Sequence, residues 1–174
     1  MKNIIIILTV LTIQLNAQML ISPFDAMTQA FGKDIEVSKK NILLTNAKSK
    51  NITKDAKLKL DTKIFRIFIA KVDSKRIGYG ILVSRTVRSK NAVVLYIIDN
   101  NSTLKTIEII AFNEPQEYIP SKTWQSQFKE VSINKRLYMG KDIPTITGAT
   151  LSARSIVDGS RLAFAIYDEV LKGK

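Results

Sequence analysis

The clearest pattern lies in the middle of the chain. Ile64 to Val72 partly alternates apolar with polar positions and is rich in Ile, Phe and Val, so it predicts a strand. Asp73 to Arg76 is a turn, and Ile77 to Val87 returns as a second strand. Gly78 and Gly80 fall inside it, where glycine marks a bulge or a close approach of another backbone. Ala92 to Ile98 is a continuous apolar strand. The turn signal Asp99-Asn100-Asn101-Ser102 separates it from a fourth strand, Leu104 to Phe112. Strict alternation puts Leu104, Thr106, Glu108 and Ile110 on one face of that strand and Ile107, Ile109 and Ala111 on the other. These runs predict an antiparallel meander.

Helical spacing flanks this centre. Ser22-Pro23-Phe24-Asp25 is a helix start, and Phe24, Met27 and Phe31 share one face before Gly32 stops the helix. Ile42 to Leu44 is a short apolar run. Ile52, Ala56 and Leu60 are four apart in a Lys-rich stretch, which predicts a surface helix. After the meander, Asn113 to Pro120 breaks the pattern with two prolines and two acids, Glu114 and Glu117. Ser121 caps a short helix with Trp124 and Phe128 one turn apart. A last helix spans Leu151 to Leu171, with Ile156, Leu162, Ala163, Ile166 and Val170 on its buried face. The fold class is therefore α+β: a twisted antiparallel sheet with flanking helices, the C-terminal one following a loop.

The first residues have a different layout. Met1-Lys2-Asn3 is a short positive start, Ile4 to Ile13 is nearly all apolar, and Ala17 ends a short polar stretch. A bilayer span needs about 20 apolar residues. The reading is a secretory signal peptide over 1–17, cleaved after Ala17, and a periplasmic location. Residues 18–60 then form a helical N-terminal cover segment, and 61–174 the main domain.

Composition narrows the chemistry. The chain has no Cys and no His, which removes thiol nucleophiles, Cys-ligated clusters, the usual zinc sites and Ser-His-Asp hydrolysis. Metal ligation and a catalytic residue of its own are not expected. Lys and Arg total 27 against 15 acids, a net charge of +12. Export argues against a nucleic-acid partner, leaving acidic proteins or anionic headgroups at a membrane surface. Much of the charge reads as a solvated Lys-rich face.

Four hydroxyls lie in the eight residues Thr145 to Ser152, just before the last helix. One reading is a Ser/Thr helix cap. The other is phosphate recognition, because a helix N-terminus offers unpaired N–H groups to an anion, and Gly148 and Ala149 let a ligand come close. Glu114 and Glu117 are candidates for paired carboxylates, and Trp124 and Tyr79 are each either pocket or core.

Thr147-Gly148-Ala149-Thr150-Leu151-Ser152 resembles the flavinylation motif of the FMN-binding domain family. That family includes the covalent-FMN subunits of sodium-pumping NADH:quinone reductases and Rnf-type ferredoxin oxidoreductases, together with small exported proteins. The resemblance extends to Ile77-Gly78-Tyr79-Gly80-Ile81, to the Val93–Phe112 hairpin, and to Glu117-Tyr118 with the following Trp124 and Phe128. It implies that a flavin transferase attaches FMN from FAD through its phosphate to Thr150. Thr147, Gly148, Ala149, Leu151 and Ser152 complete the matching loop. Arg154, one turn on, is a candidate partner for the phosphodiester, and Glu117 for the flavin edge. Pro144 stands where the family has an acid, and the nearest acid is Asp142. The implied function is an electron carrier more than a stand-alone enzyme, passing electrons to a cytochrome or a membrane quinone-linked complex. The alternative is a flavin-free binding module that uses a basic face.

Overall fold

The computed structural model describes residues 19–173; the expected leader, 1–17, lies outside them. In chain order the elements are Pro23–Phe31 (α1), Glu36–Leu43 (β1), Asn46–Ala56 (α2), Ile64–Val72 (β2), Lys75–Thr86 (β3), Asn91–Asp99 (β4) and Thr103–Phe112 (β5). Lys122–Gln125 (α3), Val131–Ser132 (β6) and Thr150–Ile166 (α4) follow, and a π-helical turn at Tyr167–Leu171 ends the last helix. The six strands form one open antiparallel sheet in sequence order. The fold is α+β, with the helices flanking the sheet.

The predicted β2–β3 hairpin closes through Asp73 and Ser74, at φ 47° and 64°. A two-residue turn of this hand matches the twist of the strands it joins. In β3 the two glycines serve close approach. A Cβ on Gly80 would lie 2.7 Å from the Met27 sulfur, and one on Gly78 would lie 2.7 Å from the Ile98 carbonyl oxygen and against the Phe31 ring. The absence of side chains there lets α1 settle on this face. Ser22 caps α1 by accepting the Asp25 N–H at 3.1 Å. Phe24, expected on the same face, is 42% exposed but meets Phe68 edge-on at 5.4 Å.

α4 covers the opposite face and carries the larger core. Gly159 faces the Tyr96 ring, and the Tyr96 hydroxyl donates to the Ile156 carbonyl at 2.7 Å. Burial pushes the Tyr96 phenol far above its ordinary range, so it stays a donor. Tyr79 belongs to this core as well. It meets Tyr167 edge-on at 6.0 Å and donates to the Leu171 carbonyl at 3.4 Å, so it is not a pocket residue.

Two expectations need correction. Residues 18–60 are not only helical, because β1 lies among them and pairs with β2 from Glu36↔Lys71 to Leu43↔Ile64. As an edge strand it is exposed or half-exposed throughout, so it shows no buried alternation to read. The faces of β5 also differ from strict alternation. Its pairing with β4 skips Lys105 and Ile110, and each skipped residue reverses the facing of the residues that follow. Leu104, Ile107, Ile109 and Phe112 therefore share the α4 side, while Ile110 packs on the α1 side.

Candidate functional site

The loop before α4 is built by local backbone bonds. The Ala149 N–H reaches the Ile146 carbonyl at 3.2 Å, and Gly148 sits at φ +82°. This left-handed conformation costs any residue with a Cβ about 1–2 kcal/mol. No atom lies within 4 Å of the place a Gly148 Cβ would take, so the backbone there is open to approach. Ala149 is the residue at the helix cap, and no side chain caps it. The Ser/Thr-cap reading is therefore not what the segment does. The first bond into the helix joins the Ala153 N–H to the Ala149 carbonyl at 3.0 Å. The N–H groups of Thr150, Leu151 and Ser152 precede it, at the positive end of a 17-residue helix.

Thr150 is half-buried. Its hydroxyl donates to the Ile146 carbonyl at 2.9 Å, which leaves the oxygen lone pairs free. It lines a cleft of about 190 Å³ together with Gly148, Ala149, Tyr118, Arg88 and Glu114. The β3–β4 turn forms the facing wall. There Glu114 Oε1 accepts the backbone N–H groups of Ser89 at 2.6 Å, Lys90 at 2.7 Å and Arg88 at 3.1 Å. These N–H donors, that of Lys90 foremost, hold the Glu114 carboxyl below the usual carboxylate range. Glu114 is thus a brace for the turn and not half of a catalytic carboxylate pair. The Arg88 side chain is exposed on that turn, with no ion-pair partner among the described residues.

A second, shallower groove of about 680 Å³ adjoins the first through Tyr118, Gly148 and Ala149. Glu117, exposed on the helical turn Gln116–Tyr118, lines it beside Thr147 and Trp124. Trp124 is both core and wall. It packs on Phe128 at 5.3 Å and donates its Nε1–H to the Pro144 carbonyl at 2.8 Å. Pro144 therefore anchors the loop through its backbone. Asp142 is occupied nearby. Its carboxylate accepts the Tyr138 N–H at 3.0 Å and pairs with Lys135 at 3.4 Å, and both interactions lower its pKa, the N–H more.

The structure thus brings Thr147, Gly148, Ala149, Thr150, Leu151 and Ser152 together at one helix start, with Leu151 exposed and Ser152 buried. Glu117 lines the adjoining groove. Arg154 is exposed one turn on and lines neither cleft. Sequence reasoning missed Arg88. Nothing in Val87-Arg88-Ser89-Lys90 distinguishes it from any polar hairpin turn, and only the topology sets it beside α4. It also missed the bracing role of Glu114, which needs a contact across more than twenty residues.

No protein-family model matches the chain, and no curated protein matches it. Whether the site suits FMN therefore rests on its own geometry. An uncapped helix start with small residues and an arginine opposite suits a phosphate. The two joined clefts compare with ligand pockets of about 300–1,000 Å³.

Proposed function

We propose that this chain is an exported electron carrier that holds FMN through a phosphoester to Thr150, attached from FAD by a flavin transferase. The observation that carries the reading is the uncapped start of α4, with Thr150 lining a cleft walled by small residues and Arg88. Bound FMN supplies a carrier that takes up electrons singly or in pairs. The chain's own residues do the rest. The N–H groups that open α4 and the Arg88 guanidinium balance the phosphate charge. The Ile146 carbonyl orients the Thr150 hydroxyl. Tyr118 and Trp124 border the groove open to a ring, and Glu117 is within that groove.

The chain has no His, and no carboxylate hydrogen-bonds Thr150 among the described residues. The base that activates a hydroxyl for attack on phosphorus therefore belongs to the transferase. Thr150 is a modified residue here and not a catalytic one. Electrons would leave to a redox protein such as a cytochrome or a membrane quinone-linked complex, steered by the positive charge of the chain.

The test is to produce the full chain with a flavin transferase and separate it under denaturing conditions. Flavin fluorescence that stays with the polypeptide supports the reading. A colourless polypeptide, beside a control domain that the same transferase labels, contradicts it and leaves the flavin-free binding module.

A further inference from the structure

Asn followed two positions later by Ser or Thr, with no proline between, is the acceptor triplet for N-linked oligosaccharides on exported chains. Three such triplets begin at Asn51, Asn100 and Asn101, and the structure separates them. Asn51 lies within α2, its Nδ2 donates to Glu169 at 3.4 Å, and the middle residue of the triplet, Ile52, is buried. Asn100 is held on both sides of its amide, donating to the Arg76 carbonyl and accepting from Arg76 Nε at 3.4 Å. Asn101 differs. It is exposed in the β4–β5 turn, and its side chain has no hydrogen-bond partner among the described residues.

The turn presents Asn101 outward for a local reason. Asp99 Oδ1 accepts the Asn101 N–H at 2.9 Å and the Thr103 N–H at 3.0 Å, while the Ser102 N–H closes onto the Asp99 carbonyl at 3.2 Å. Ser102 takes φ 61°. The backbone N–H groups of residues 101–103 are thus satisfied by Asp99 within the turn, and the side-chain amide of Asn101 is left to solvent.

We propose that Asn101 is an N-glycosylation acceptor, modified by an oligosaccharyltransferase from a lipid-pyrophosphate-linked oligosaccharide. The inference rests on the export reading and is independent of flavin. In the transfer, Asn101 Nδ2 forms a bond to C1 of the first sugar. The bond from C1 to the pyrophosphate oxygen breaks, the lipid pyrophosphate leaves, and one amide proton is released. The site is at the far end of β4 from the Val87–Lys90 turn. Nine strand residues put about 25 Å between the two ends, so a glycan there leaves the cleft at Thr150 open.

The test uses the purified full chain with a single-subunit oligosaccharyltransferase, a lipid-pyrophosphate-linked oligosaccharide of known mass, and an acceptor peptide as activity control. The expected result is one added oligosaccharide on the wild type, on Asn51→Gln and on Asn100→Gln, and none on Asn101→Gln or Thr103→Val. An unmodified wild type beside a modified peptide overturns the proposal, as does modification that survives Asn101→Gln. Thermal melts of the variants check that each is folded. Because the reaction is run on purified protein, its outcome does not depend on export, which leader removal in cells reads separately.

Discussion

Gly159 sets how closely α4 lies on the sheet. Alanine is intrinsically better in a helix by about 1 kcal/mol, yet a Cβ at this position would enter the space of the Tyr96 hydroxyl. Gly159→Ala is therefore expected to destabilise the fold by about 1–3 kcal/mol through overpacking. Tyr96→Phe alone removes one buried hydrogen bond and should cost about 1 kcal/mol. In the double variant the collision is relieved, so the two losses should sum to less than their separate values in urea titrations. Glu114 makes a second prediction at this scale. Its carboxyl titrates lower in the folded chain than in the unfolded one. The stability it contributes is present above the ordinary carboxylate value near 4.5 and is lost as pH falls through the lower folded value. Glu114→Gln should be less stable at pH 7, and its stability should fall less steeply below pH ~5. Parallel acid limbs for the two proteins would contradict the bracing role.

At the scale of elements, the loop before α4 hangs on one indole. Trp124 is the only tryptophan of the chain, and its Nε1–H holds the Pro144 carbonyl. Trp124→Phe should cost about 1–2 kcal/mol and lower the extent of flavin attachment at Thr150 by loosening that loop. Attached flavin should also quench Trp124 emission, since the indole lines the groove that adjoins the Thr150 cleft. Unchanged emission on flavin attachment would separate the two. The same elements show how far sequence pattern reaches. α1, α4 and the outer strands of the meander were legible from a buried face with its own period, and β4 from a continuous apolar run, because it is buried on both faces. β1 was not, because an edge strand exposed along much of its length has no period to display. The facing of Leu104 was not either, because a bulge depends on the neighbouring strand and leaves no local mark, whereas Ile110 does lie opposite Ile107 and Ile109 as alternation puts it. The loop from Thr147 to Ser152 could be found by its residues, and its missing cap could not. Arg88 needed the turn to be folded against Glu114 before it stood near α4.

At the scale of the whole molecule, the sheet is clamped from both sides. α1 closes one face over its two glycines, and α2 and α4 close the other. Arg136 ties that second layer together. Its Nη2 donates to Asp55 at 2.5 Å and to Asp168 at 2.9 Å, and its Nη1 donates to the Ile133 carbonyl. Arg136→Met should lower the urea midpoint by the equivalent of about 1–2 kcal/mol, with little change in slope and a smaller loss at high salt. This clamp lies near the C-terminal turn, so flavin attachment to the folded variant should be unaffected. The site itself is where the N-terminus of α4 meets the β3–β4 turn, at the end of the sheet away from Asn101. The central claim is that Thr150 carries the flavin, and intact mass tests it most directly. Wild type and Thr150→Val are each produced in the full chain with a flavin transferase. The account predicts a gain of one FMN less one water on the wild type and none on the variant. An unmodified wild type, or a variant that gains the same mass, would contradict it.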